Sequence, residues 1–373
     1  MSLKRVILLH ENQLLANLFR DRLEDANFSV EVAHAPETAL QQAGASAVDA
    51  VVMDSVFPGV DLTKLIPRFQ ALAKPPLPVI VLPNSRPIFA EAALEVGAVG
   101  LQRGVNPIAD VVDALQKALK LENTAAITKS LAFRPDDAWL TSSLATAADI
   151  LSHLRRALHE INRDSSTAAT ATADFYQRVH GFAEQMAVLG QRPLYSIAAQ
   201  IEALAYDLSK FPEQINPSVM RTLSQALDFL SSLLPEGIRS RLKDPGAAQV
   251  LIVDDEEGAR KIIMAAMRLA NLKSVAADTP TTALAALGVQ SFDLIFLDVG
   301  LPEMTGFELC SKVRALPLHE KTPIVFITGM ATFQNRVQSS LSGGNDFVGK
   351  PFNISELGLK ALIWVFRGQL GQV

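Results

Sequence analysis

The chain has 373 residues, enough for two or three domains with separate cores. With 49% hydrophobic and 20% charged residues it has the composition of a folded chain, and a net charge of -5 speaks against a general binder of nucleic acid or anionic membrane. One cysteine, Cys310, excludes an internal disulfide framework and a cysteine metal site. No apolar run approaches the ~20 residues of a bilayer span and no leader pattern opens the chain, so the expected location is cytoplasmic.

From residue 4 to about 120, short apolar runs alternate with amphipathic ones. Strands are predicted at 6–9, 29–33, 50–53, 79–82 and 99–101, and helices at about 12–25, 36–44, 61–72, 87–96 and 107–119. Five such βα steps predict a doubly wound parallel sheet with helices on both faces, a flavodoxin-like α/β domain. Residues 121–137 are polar and read as a linker. From Trp139 to Leu234 the periodicity is helical throughout, with apolar stripes such as Leu151, Leu154, Leu158, Ile161 and Phe175, Val179, Phe182, Met186. Pro193 and Pro217 are placed as first-turn prolines of the third and fourth helices, and an antiparallel four-helix bundle is predicted. Beyond about 248 the βα rhythm returns, with strands at 249–253, 274–277, 294–297, 324–328 and 347–348. At a shift of about 244 residues, the segment from Asp49 through Asp54 to Pro58 falls on that from Asp293 through Asp298 to Pro302 without a gap. The reading is a duplicated α/β domain around an all-α insert, with domains at 1–121, 122–245 and 246–373.

In a doubly wound sheet the tips of strands one and three lie side by side. Asp254 and Asp255 follow the first strand of the second copy, and Asp298 ends the third. Three carboxylates in one crevice repel one another unless a hard divalent cation sits among them, and Mg2+ suits such an oxygen site. Thr328 ends the fourth strand as a hydroxyl donor, and Lys350, before Pro351, follows the fifth as a fixed positive charge. A metal, a cation and a hydroxyl around one carboxylate make a site for stabilising a phosphoryl group during in-line transfer.

This set, in order across about 125 residues, resembles the receiver domain of two-component response regulators. The resemblance implies that Asp298 accepts the phosphoryl group, that Asp254 and Asp255 hold Mg2+ with the Gly300 carbonyl as a further ligand, and that Thr328 and Lys350 contact phosphoryl oxygens. Phe347 takes the family's rotating aromatic position, and Gly329 leaves room for phosphodonors and water. Histidine kinases or phosphotransfer proteins are the implied partners. No enzymatic activity is expected beyond the domain's own phosphorylation and dephosphorylation. An aspartyl-phosphate hydrolase is disfavoured because Gly300 stands where its second acidic residue would be.

The first copy keeps Asp54 but has His10-Glu11 for the acidic pair. Pro83 stands at the threonine position, Arg103 near that of the lysine, and Gly100 at that of the aromatic. It reads as a degenerate receiver, a docking or dimerising surface, with phosphorylation at Asp54 the other reading. In the insert, His180 and the following residues to Gly190 resemble the histidine-phosphotransfer (HPt) motif, with Ala183 and Glu184 where that family has Lys and Gly. His180 lies beside the apolar stripe, so partial exposure is expected, and it reads either as a phosphohistidine or as part of a non-transferring docking bundle. His153 and His159 read as helix-surface residues, and Cys310 as a packed thiol. The expected function is phosphorelay signalling through Asp298, switching contacts with a downstream protein that the sequence does not identify. A phosphorylation-independent scaffold and an intermediate passing phosphate through His180 stay open. Homodimerisation is a further expectation, because Leu359, Leu362, Trp364 and Phe366 in the last helix exceed what one sheet face needs.

Overall fold

The computed structural model describes residues 3–57, 60–73, 77–82, 93–101, 107–121, 137–163, 168–235, 241–329 and 342–372. The chain divides into two compact units, residues 1–143 with 177–191, and residues 144–176 with 192–373.

The first unit holds β1 (Lys4–Leu9), α1 (Gln13–Asp25), β2 (Phe28–Ala33), α2 (Pro36–Ala45), β3 (Ala50–Met53), α3 (Leu62–Gln70), β4 (Val79–Val81), β5 (Val99–Gly100) and α4 (Pro107–Ala118). Its strands pair in parallel in the order β2-β1-β3-β4-β5. Side chains alternate across the sheet with the two-residue period of a strand. Leu8 and Val52 meet Leu15 and Phe19 of α1 and Val111 and Leu115 of α4 on one face. Ile7, Val51 and Met53 meet Leu65, Ile66 and Phe69 of α3 on the other. Burial on both faces is why β3 is apolar without interruption. Pro83, Arg103 and most of the helix predicted at 87–96 lie outside the described residues.

The middle stretch forms four helices, α5 (Asp137–Arg163), α6 (Ala168–Val188), α7 (Arg192–Lys210) and α8 (Pro217–Leu233). Pro217 takes the first turn of α8, and the Asn216 side chain accepts from the Ser218 and Val219 amides. The end of α6, from Gln177, belongs to the first unit, where Val188 joins the core of α1 and α4. The rest of these helices, from Leu144, belongs to the second unit, in which Arg155 of α5 reaches Asp228 (3.1 Å) and Ser231 (2.9 Å) of α8.

The second sheet is built from β6 (Gln249–Val253), β7 (Lys273–Ala277), β8 (Leu294–Asp298), β9 (Ile324–Thr328) and β10 (Asp346–Gly349), in the order β7-β6-β8-β9-β10. Its helices are α9 (Glu257–Leu269), α10 (Pro280–Leu287), α11 (Gly306–Arg314) and α12 (Ile354–Leu370). Capping boxes from Thr279 and Thr305 start α10 and α11, and Asn353 caps α12. Helix α12 is buried almost all round because α9 packs on it together with α7 and α8. Trp364 and Phe366 are thereby covered within the chain. The apolar excess that suggests a dimer from sequence has an intramolecular explanation.

Both sheets share a clamp at their base. Asp49 accepts from the Arg5 amide at 2.9 Å, and Asp293, its repeat counterpart, accepts from the Gln249 amide at 2.8 Å. Each carboxylate thus ties the approach to the third strand to the start of the first. Cys310 is buried and donates to the Ser342 carbonyl at 3.1 Å, a packed thiol as expected. His153 and His159 are exposed, also as expected. Among the described residues no helix is long and apolar enough to cross a membrane.

Candidate functional site

The tips of β6, β8, β9 and β10 bring the predicted C-terminal residues together. Asp254 and Asp298 are buried, Asp255 is exposed, and the three offer carboxylate oxygens within 4.8 Å of one another. Lys350 Nζ stands between the two buried carboxylates, 2.9 Å from Asp254 Oδ2 and 3.3 Å from Asp298 Oδ1. Thr328 is buried at the tip of β9, and Gly349 pairs with it across the parallel ladder, which sets Lys350 just beyond. The donor set is all oxygen, so the crevice is chemically suited to a hard cation.

Burial and the charge of Asp254 raise the pKa of Asp298 above the ordinary carboxylate range, against the opposing pull of Lys350 and the Gly300 amide. Lys350 is held above its ordinary value: burial works against its charge, but Asp254 and Asp298 outweigh it. The Gly300 amide donates to Asp298 Oδ2 at 3.0 Å and fixes that carboxylate's rotation. Directly behind it, a Cβ on Gly306 would fall 2.1 Å from the Asp298 carbonyl oxygen, so only glycine allows α11 to start this close to the strand tip.

Some participants were not evident in the sequence. Arg260, on the first turns of α9, donates to the carbonyls of Asp254 (2.8 Å) and Asp255 (2.9 Å) and holds the acidic pair in place. Its position one turn beyond the pair was a usable signal. The guanidinium of Arg221, from α8, lies 4.6 Å from the ring centroid of Phe347 in the same unit. Nothing in the local sequence of either residue announces that stacking. Close by, Glu356 of α12 accepts from Ser218 (2.7 Å) and Thr222 (2.9 Å) of α8.

In the first unit Asp54 occupies the same strand-tip position but different company. The sequence predicts partial exposure for His180; instead it is buried, 3% exposed, with Nε2 3.0 Å from Asp54 Oδ1. Its side of α6 is polar because it closes over the strand tips, which the helical stripe could not reveal. Burial raises the Asp54 pKa, but the charge and hydrogen bond of His180, the charge of His10 and the Val56 amide outweigh it and hold the carboxyl below its ordinary range. Glu184, one turn after His180, lies 3.6 Å from that imidazole and 3.2 Å from His10 Nε2. Glu11 is exposed, so the acidic pair of the second copy has no equivalent here. Among the described residues, the basic side chains beside Asp54 are the imidazoles of His180 and His10.

The sequence profile described as "response regulator receiver domain" matches residues 6–102 and 250–361, together more than half of the chain. The probable transcriptional regulatory protein TcrX of Mycobacterium tuberculosis is 33% identical over 125 residues, which is 33% of this chain and 53% of that protein. The transcriptional regulatory protein KdpE of Staphylococcus aureus is 32% identical over 110 residues, 30% of this chain and 46% of the relative. The chain thus spans about half the length of these curated relatives. Among solved structures, the chemotaxis response regulator CheY4 of Vibrio cholerae is 33% identical, covering 32% of this chain and 98% of its own, with a TM-score of 0.30.

Proposed function

The chain belongs to the response regulator receiver family, and from that premise we propose that it is a phosphorelay response regulator whose acceptor is Asp298. The observation that carries this reading is the bridging of Asp254 and Asp298 by Lys350, at 2.9 and 3.3 Å. An Asp298 carboxylate oxygen attacks the phosphorus of a phosphohistidine donor. The P–N bond breaks with its electron pair going to the imidazole, and an acyl phosphate forms. Lys350 and the Thr328 hydroxyl stabilise the charge on the transferring oxygens, and Lys350 gives up part of its pairing with Asp298 as it turns to the new group. Asp254, Asp255 and Asp298, with the Gly300 carbonyl, would hold Mg2+, whose charge offsets the repulsion between phosphoryl group and carboxylates. The expected donor is a histidine kinase or a histidine phosphotransfer protein.

The output is a change in protein contact. Thr328 and Phe347 lie on the adjacent strands β9 and β10, so a rearrangement around Thr328 reaches the Phe347 ring and the Arg221 guanidinium stacked on it. The route therefore runs from the acceptor to helix α8 of the same unit. Incubation with Mg2+ and a small phosphodonor should label the wild type and not Asp298→Ala; equal labelling of the two would refute the assignment.

For the first receiver copy a second reading is favoured, that of a docking module without phosphotransfer. His180 and Asp54 are in direct hydrogen-bond contact, which leaves no space for a phosphorus atom between them. The HPt-like segment then serves as a structural partner of the degenerate receiver.

A further inference from the structure

Two departures from the receiver and HPt patterns have no part in transfer at Asp298. One is His10, in place of the first acidic residue; the other is Glu184, four residues after His180. The fold brings them face to face, although 174 positions of sequence separate the two, with His10 Nε2 and Glu184 Oε2 3.2 Å apart. We propose that this crevice is a new metal site, in which His10, Asp54 and Glu184 bind a divalent transition ion of the zinc class and His180 holds Asp54 in place.

Four observations support it. His10, Asp54 and Glu184 are all buried and offer ligand atoms within 4.8 Å of one another. His10 Nε2 and Glu184 Oε2 are buried atoms that face each other at 3.2 Å in poor hydrogen-bond geometry. Zinc bonds of about 2.0–2.1 Å place neighbouring ligands of a tetrahedral site roughly 3.4 Å apart, close to the 3.2 Å between His10 Nε2 and Glu184 Oε2. The ring nitrogens of His10 are also differently engaged. Its Nδ1 accepts from the Asn12 amide at 3.1 Å, which leaves Nε2 as the nitrogen that faces Glu184.

The ligand chemistry selects the ion. An imidazole with two carboxylates suits zinc or cobalt, whereas Mg2+ favours an all-oxygen set such as that around Asp298. His180, 3.0 Å from Asp54, plays the part of the outer hydrogen-bond partner that orients a metal-bound carboxylate. Coordination at His10 Nε2 moves the ring proton to Nδ1 and breaks the Asn12 bond, one neutral hydrogen bond given up for a metal–nitrogen bond. Three protein ligands leave a further position for water or an incoming ligand.

The test uses the full chain, purified metal-free, with excess Mg2+ to occupy the C-terminal carboxylates. Calorimetric titration with Zn2+ should show one equivalent bound, and Co2+ should give visible ligand-field bands from the same site. His180→Ala should weaken zinc binding about 10- to 100-fold, the usual effect of losing an outer partner of a ligand. His10→Ala and the near-isosteric Glu184→Gln should weaken it further, while Asp298→Ala leaves it unchanged. Absence of zinc uptake by the wild type, which needs no variant to fold, would overturn the proposal. So would equal uptake by Glu184→Gln; the cluster would then be an ion network without a metal. Phosphoryl labelling at Asp298 is read separately, so failure of either assignment does not touch the other.

Discussion

The Asp298 carboxylate is functional because of the atoms around it: one oxygen is fixed by the Gly300 amide and the other faces Lys350. The closest constraint comes from Gly306. Gly306→Ala places a methyl group against the Asp298 carbonyl, and is expected to cost about 1–3 kcal/mol by overpacking. It should also depress acceptor labelling at Asp298, which chemical denaturation and phosphodonor labelling of the same variant would check. Asp49 provides a pH test away from any metal ligand. Partial burial raises its pKa, but the Lys4 hydrogen bond, the Arg5 amide and the charges of both residues outweigh this and hold it below the ordinary range. A depressed folded-state pKa contributes stability above the ordinary carboxylate range and loses it as pH falls through the folded value. Asp49→Asn should therefore lower stability by about 1 kcal/mol at neutral pH, a figure reduced by the partial exposure of the ion pair. The difference should vanish in acid, and denaturation of both proteins across pH 2–7 measures it.

Among the elements, α12 carries the most structural weight in the second unit. One side seals the sheet, and the other receives α7 and α8. Trp364 is buried and donates to Asp346 Oδ2 at 3.2 Å, beside the Lys360–Asp346 ion pair of 2.6 Å. Trp364→Ala should cost about 3–5 kcal/mol, as large-to-small core changes at aromatic residues do. Because α7 and α8 rest on the same helix, helical and sheet signals should be lost together in circular dichroism and fluorescence melts; separate transitions would contradict a shared core. Helix α6 shows the opposite case. Its apolar stripe was legible from spacing alone, yet its polar side was the one that carried His180 and Glu184 to a strand tip. A stripe identifies the face a helix buries most deeply, and does not say whether a second face is also covered.

For the molecule as a whole, the duplication was the most informative sequence feature, since each copy served as a reference for the other. The sequence by itself determined both parallel sheets and the constellation of Asp254, Asp255, Asp298, Thr328 and Lys350. Buried strands need uninterrupted apolar runs, and the residues at their tips converge once the strand order follows from the βα rhythm. These are effects of local pattern and connection rules, which a linear chain records. Only the tertiary structure decided that His180 is buried on Asp54 across 126 positions of sequence. It alone placed Glu184 against His10, and Arg221 on Phe347. Such contacts come from helix faces packing on distant elements, and their energy resides in pairs whose members look ordinary in their own neighbourhoods. The same physics explains the contrast between the two acceptor positions. A strand tip fixes where an aspartate stands, while the packing around it decides whether it meets a lysine and open carboxylates or a pair of buried imidazoles.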